Sequence, residues 1–133
     1  MFGAFDISTS ALGAQRTRLD TIASNIANID SVLGPDGKPA PYRRLFPVFQ
    51  AQRNQDGAAG VSVAKIEDDQ SDFKLKLEPG NPAANADGWV QYPNVDLSTE
   101  YVNALETTRA YEANITAIET TKSMMNSTLH LLA

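Results

Sequence analysis

Apolar side chains recur every seven residues in two stretches of the sequence, one near each end. In the first stretch, Ile22 and Ile29 lie three places after the last two members of the series, and Ala residues stand beside it. The series itself is Phe5, Leu12, Leu19 and Ile26. Seven residues make about two turns of an α-helix, so these side chains lie along one side of a predicted helix.

The stretch at the other end keeps the same step for longer and is the strongest periodic signal in the chain. Its series is Leu97, Ala104, Tyr111, Ile118, Met125 and Leu132. A helix over these residues is about 54 Å long, whereas a compact domain of this size is about 30 Å across. We therefore expect this helix to project from the rest of the chain. Its apolar side must then pack on the first helix or on another molecule. Asp96 or Ser98 can cap its start, which puts Glu100 in the positive first turn.

The sequence between the two predicted helices is rich in residues that interrupt helices. All 7 Pro and six of the 8 Gly lie between residues 30 and 93. Phe73, Leu75 and Leu77 alternate with lysines, a pattern that predicts a half-buried strand. We expect further short strands, and exposed loops or hairpin tips at residues 34–39 and 54–57. The further strands are predicted at residues 45–50, 61–66 and 88–92.

These patterns predict an α+β fold. Two long terminal helices pair as in a coiled coil, and a small β-rich unit of three or four short strands is inserted between them. The predicted segments are an N-terminal helix over residues 1–29, a loop and β unit over residues 30–93, and a C-terminal helix over residues 94–133.

Composition and charge exclude several classes of protein. The chain has 133 residues, with 11 Lys and Arg against 16 Asp and Glu, a formal net charge of −5 and no Cys. Without Cys there is no disulfide framework, thiolate metal site or thiol nucleophile. Nucleic acids need a clustered basic face, which this acidic chain lacks. No apolar run approaches the roughly 20 residues of a membrane span, and the first basic residue is Arg16, so we expect neither membrane insertion nor a cleavable signal peptide.

The residues with catalytic chemistry do not assemble into an active site in the sequence. His130 is the single His, and we interpret it as a cation at the end of the second helix. An acidic group could hold a hard cation, but it lacks the Gly and terminal Glu of a calcium loop, so a solvated turn is expected. This group is Glu67, Asp68, Asp69 and Asp72. The sequence therefore predicts no enzyme, no metal and no cofactor.

Both ends of the chain resemble the flagellar rod and hook axial proteins. The N-terminal signature is matched by residues 10–15, 18–20 and 22–28, which read SALGAQ, RLD and IASNIAN. The C-terminal signature is matched from residue 94 to 125. Two further stretches, residues 78–82 and 88–96, are similar to one short member of the family. The residues that carry the family motif are Ser24, Asn25, Ala27, Asn28, Arg109, Tyr111, Ala113 and Asn114.

This resemblance implies a structural subunit of the proximal rod in the bacterial flagellar basal body. Its terminal helices would form an α-helical layer along the rod axis. Its expected partners are other copies of itself, other flagellar rod proteins and the flagellar type III export apparatus. Export by that apparatus would bring the chain to the rod in the periplasmic space without a cleavable signal peptide.

The two apolar series then become candidate assembly contacts. We expect the helices to pair and to dock on neighbouring subunits, and polar residues beside the series, such as Asn25 and Asn114, to fix the register. An intramolecular helical hairpin would bury the same residues, and a cytoplasmic binding module such as an export chaperone is the alternative function. The predicted assembly residues are Leu12, Leu19, Ile22, Ile26, Leu97, Ala104, Tyr111, Ile115, Ile118, Met125 and Leu132.

Overall fold

In the part of the chain that the structure describes, four strands lie between two long helices. The computed structural model describes residues 2–53, 57 and 59–132. This confirms the predicted α+β class of two long helices around a small β region. In chain order, the elements of these residues are α1 (Phe2–Ala27), β1 (Leu45–Arg53), β2 (Ala59–Asp68), β3 (Lys74–Leu77), β4 (Trp89–Tyr92) and α2 (Leu97–Leu132).

The two helices pack side by side and antiparallel. The Arg18 guanidinium lies 3.5 Å from the Glu106 carboxylate, and the Asn25 amide donates a hydrogen bond of 3.3 Å to Glu100. Residue numbers therefore rise on α1 as they fall on α2. In this register, the start of α1 reaches about residue 122 of α2. The last ten or so residues of α2 extend beyond it by about 15 Å, at 1.5 Å per residue.

Polar side chains set the facing ends of the helices. The backbone N–H of Thr99 donates a 2.8 Å hydrogen bond to the Asp96 carboxylate, so Asp96 is the cap of α2. At the end of α1, the Asn28 amide donates to the carbonyl of Ser24, and the Ser31 hydroxyl donates to Asn28. Of the two predicted caps of α2, Asp96 and Ser98, the structure shows Asp96, and α1 ends at Ala27.

The described residues of the β region form two separate two-stranded antiparallel sheets. Sheet β1–β2 runs from the pair Leu45 and Asp68 to the pair Arg53 and Ala59, and a register shift after Val48 leaves Ala64 as a bulge. This sheet packs on α1. A Cβ at Gly60 would lie 2.8 Å from the Ser10 hydroxyl, so this close approach requires glycine. The predicted tip at residues 54–57 lies, except for Gly57, outside the described residues.

Sheet β3–β4 has the predicted alternation, but the prediction of which face is covered is wrong. Leu75 and Leu77 are 59% and 58% exposed. The alternate lysines turn toward the protein instead: Lys74 donates a 2.8 Å hydrogen bond to the carbonyl of Val95, and Lys76 lies 4.5 Å from the centre of the Tyr92 ring. Both lysines nevertheless stay exposed, and the Lys74 side chain keeps 50% of its exposure. Neither described helix is long and apolar enough to cross a membrane.

Candidate assembly interface

The side of α2 that faces α1 alternates polar and apolar residues. Among the described elements, α1 is the one that packs along α2. Apolar positions seven residues apart are half-buried there, and between them runs a second series of polar residues, also seven apart. We call the two series together the α2 seam. Its apolar members are Ala104, Tyr111, Ile118 and Met125, and its polar members are Glu100, Thr107, Asn114 and Thr121.

Three of the four polar seam residues satisfy their hydrogen bonds within α2. Thr107, Asn114 and Thr121 each donate to the carbonyl four residues before them, at 2.6, 2.8 and 2.8 Å. The seam therefore tolerates these groups without a partner on α1. The fourth, Glu100, instead accepts hydrogen bonds from Asn25 on α1 and from Arg44 before β1.

Most of the predicted assembly residues are buried or half-buried on the two paired helices. Ile22 is 5% exposed, and the other three predicted α1 residues are half-buried, as are the four apolar seam residues. The remaining predicted positions are exposed. Leu97 and Ile115 are 40% and 38% exposed, and Leu132 is 80% exposed. As contacts between subunits, all of these residues remain predictions.

Beyond Met125, the seam side of α2 has no cover from the described part of the chain. Met125 is half-buried, whereas Leu129 and Leu132 on the same side of the helix are 64% and 80% exposed. Met124 and Leu131 beside them are 57% and 87% exposed. We call residues 124–132 the α2 extension. Exposed apolar clusters of this kind mark surfaces that bind a partner.

A buried polar cluster joins the two helices to the start of β1. Asn25 and Glu100 are both fully buried. The Asn25 side chain accepts a 2.9 Å hydrogen bond from the N–H of Leu45 and donates one of 2.8 Å to its carbonyl. The Tyr42 hydroxyl also donates to Asn25, at 3.0 Å. Glu100 accepts from Asn25 on one oxygen and from the Arg44 guanidinium on the other.

A second layer of the cluster connects Arg44 to the chain around β3 and β4. The Asn94 side chain accepts a 2.8 Å hydrogen bond from the N–H of Arg44. Its amide donates to the carbonyls of Asp69 and Ser71, at 3.0 and 3.2 Å. Arg43 donates to the same two carbonyls and lies 4.3 Å from the centre of the Phe73 ring. Residues before β1, after β2, before β3 and after β4 therefore meet at one place.

Two ionisable groups of this region have shifted pKa values. Burial raises the pKa of the Tyr42 phenol above its ordinary value, and the nearby Glu100 carboxylate adds to the shift. The Ser71 N–H, 2.9 Å from the Asp69 carboxylate, lowers the pKa of that carboxyl. Asp69 thus serves a turn, whereas Glu67 and Asp68 lie in β2, so the turn predicted for the whole acidic group is wrong for these two residues.

The family-motif residues fall into two groups by position. Asn25 belongs to the buried cluster, and Asn28 directly follows the last residue of α1. Tyr111 and Asn114 belong to the α2 seam. The other motif residues are exposed on the helices, and the Ser24 carbonyl accepts the hydrogen bond from Asn28. These exposed residues are Ser24, Ala27, Arg109 and Ala113.

The described residues hold no group of three or more His, Cys, Asp or Glu side chains placed to bind a metal ion. His130 is exposed in the last turn of α2. A shallow cleft of about 270 Å³ lies between β3–β4 and the segment before β1, and Val32, Pro41, Leu75 and Trp89 are among the residues that line it. The arrangement thus offers packing surfaces.

Sequence reasoning missed the residues of the buried cluster other than Asn25. Glu100 was expected only as a first-turn carboxylate, and Arg44, Asn94 and Tyr42 were given no role in a site. One signal was present in the sequence. Polar residues also recur every seven positions at Glu100, Thr107 and Asn114, beside the apolar series.

Comparison with known proteins gives matches at both helices and over the whole chain. Residues 5–35 match the family model "Flagella basal body rod protein", and residues 86–131 match "Flagellar basal body rod FlgEFG protein C-terminal". The chain is 50% identical to the flagellar basal-body rod protein FlgC of Yersinia enterocolitica, over 98% of this chain and 97% of that protein. It is 49% identical to FlgC of Salmonella typhimurium and 41% identical to FlgC of Bacillus subtilis, with the same coverage.

Proposed function

This chain belongs to the FlgC family of flagellar basal-body rod proteins, and from this we propose that it is a structural subunit of the proximal rod. In this role it associates with other copies of itself and with other rod proteins to build the drive shaft that transmits torque. The proposal assigns it no enzymatic activity. Family membership also favours the rod over the export-chaperone alternative.

The α2 extension is the observation that carries the assembly part of the proposal. It continues the seam past α1, and Leu129 and Leu132 remain exposed. Covering a leucine side chain contributes about 1.5–3 kcal/mol. A neighbouring subunit that packs against the extension gains this free energy at every contact. Repeated along a rod, such contacts resist the shear produced by torque.

The asymmetry of the helix pair suits an open assembly. One end carries the α2 extension, and the other end carries the cap of α2 and the end of α1. A contact between unlike surfaces of successive subunits does not close on itself, and it builds a helical structure instead. The proposal includes export through the flagellar type III apparatus and residence in the rod in the periplasmic space.

The direct test is the composition of purified hook–basal bodies. Quantitative mass spectrometry should find this chain at a fixed ratio to the other rod proteins. A chain that is absent from these particles and free in the cytoplasm would contradict the proposal and return the chaperone as the better hypothesis.

A further inference from the structure

The β3–β4 sheet is attached to the helices in an unusual way. Among the described elements, β1–β2 packs directly on α1, whereas β3–β4 packs on neither helix. It borders the segment before β1 across shallow clefts, and hydrogen bonds attach it through the segments that enter β3 and leave β4. Its direction relative to the helices therefore depends in part on what holds those two segments.

Asn94 holds both of these segments. It lies just after β4, beyond Pro93, and its amide donates to the carbonyls of Asp69 and Ser71 on the way into β3. Its carbonyl oxygen accepts from the backbone N–H of Arg44. One side chain thus ties both ends of the β3–β4 unit to a single backbone position.

Arg44 passes this attachment on to both helices. Its guanidinium donates to Glu100 in α2, and Glu100 accepts a second hydrogen bond from Asn25 in α1. The continuous series of hydrogen bonds is Asn94 to Arg44, Arg44 to Glu100, and Glu100 to Asn25. We call these four residues the joint.

A buried charged pair is a poor device for stability but a good one for geometry. Removing Glu100 from water is costly, and apolar residues of the same volume often give equal or greater stability. Apolar contacts, however, are non-directional and do not by themselves fix the orientation of one surface on another. Hydrogen bonds to both oxygens of one carboxylate fix the direction of their donors, because their strength falls steeply away from linear geometry.

We infer that the joint of Asn25, Arg44, Asn94 and Glu100 is a positioning device that fixes the direction of the β3–β4 sheet relative to the helix pair. In a rod subunit, it would make the β3–β4 sheet turn rigidly with the helices and hold its exposed apolar face, Leu75, Leu77 and Trp89, in one orientation. This role in the rod rests on the proposed function. The positioning itself is a property of the isolated chain.

The test measures the distance between β3–β4 and α2 in the full-length chain in solution. Because the sequence has no Cys, spin labels can be placed on Asp87→Cys in the β3–β4 turn and Thr120→Cys on α2 without background. Both positions are exposed. Double electron–electron resonance should give a narrow distribution of the distance between the two spin labels in the parent chain. Asn94→Ala should broaden it about twofold or more, as expected when a local attachment opens.

Three further substitutions separate positioning from general loss of stability. Glu100→Gln keeps the shape and one acceptor oxygen, so it should broaden the distribution less than Glu100→Ala. The control Asn81→Ala removes a 2.9 Å hydrogen bond to Glu78 inside the β3–β4 turn, and it should leave the distribution narrow. Circular dichroism should show the same helix content throughout.

The inference is overturned if Asn94→Ala and Glu100→Ala both keep the narrow distribution, or if Asn81→Ala broadens it as much as they do. A loss of helix content together with the broadening in both joint variants would also overturn it, because the residues would then hold the fold itself. None of these outcomes depends on whether the chain is found in hook–basal bodies, which tests the proposed function alone.

Discussion

Asn25 of α1 donates a hydrogen bond of 3.3 Å to Glu100 of α2, and both side chains are fully buried although 75 residues separate them in the chain. This hydrogen bond joins α1 to α2, so it connects the N-terminal and C-terminal segments that carry the family signatures. A short polar side chain in the N-terminal motif therefore has a structural task that reaches beyond its own helix.

The first prediction compares two asparagines of the same motif. Asn25→Ala leaves the backbone N–H and carbonyl of Leu45 without their buried partner, so we expect it to lower the free energy of unfolding by about 3 kcal/mol. Asn28→Ala removes contacts at the end of α1, and a loss of about 1 kcal/mol is expected, as for other helix-end contacts. Urea unfolding of both variants measures the difference. Equal losses of unfolding free energy in the two variants would contradict the contribution assigned to the buried Asn25 side chain.

The second prediction concerns the buried charge of Glu100. Arg44→Met removes a partner and leaves the carboxylate buried, which we expect to lower the free energy of unfolding by about 3–5 kcal/mol. Adding Glu100→Leu to that variant removes the charge as well, and most of the stability should return. The double variant is compared with each single variant by urea unfolding at neutral pH. A double variant less stable than Arg44→Met would contradict the reasoning.

Part of this arrangement could be predicted from the sequence, and the reason lies in distance along the chain. The apolar half of the α2 seam repeats every seven residues, so periodicity alone located Ala104 and Ile118. The polar half repeats equally well, but polar residues at such a step also fit a solvated face. The burial of Glu100 depends on Arg44, 56 residues away, and periodicity holds no information on that pairing.

The β3 strand shows a second limit of sequence patterns. Alternation in residues 73–77 correctly predicted a strand, because it follows from the period of two of the extended backbone. It could not decide which face is covered. Lys74 and Lys76 turn inward since the carbonyl of Val95 and the ring of Tyr92 accept their charges, and these partners lie on other segments.

The third prediction concerns stability in acid. The Thr99 N–H donates to the Asp96 carboxylate and lowers the pKa of that carboxyl. A carboxyl with a lower pKa in the folded state stabilises the fold fully above its unfolded-state pKa of about 3.9. That contribution is lost as the pH falls through the folded-state pKa. The parent chain should therefore lose stability below about pH 4.

Asp96→Asn is the matched variant for this effect. Asparagine caps a helix about as well as aspartate, so stability at neutral pH should change little. It does not titrate, so the variant should lose less stability than the parent between about pH 4 and pH 2. Urea unfolding across this range gives both curves. Parallel curves for the two proteins would contradict the assigned role of Asp96.

The most direct test of assembly through the α2 extension changes its exposed leucines. Leu129→Asp together with Leu132→Asp alters side chains that are 64% and 80% exposed, so the isolated chain should keep its helix content and unfolding midpoint. Ser127→Asp places one such negative charge on the opposite side of the same turns and serves as the control. The amount of each variant in purified hook–basal bodies is measured by quantitative mass spectrometry. We predict that the double variant falls at least about tenfold, equivalent to a loss of about 1.4 kcal/mol of binding free energy, while Ser127→Asp is incorporated like the parent. Incorporation of the double variant at the level of the parent would contradict the account.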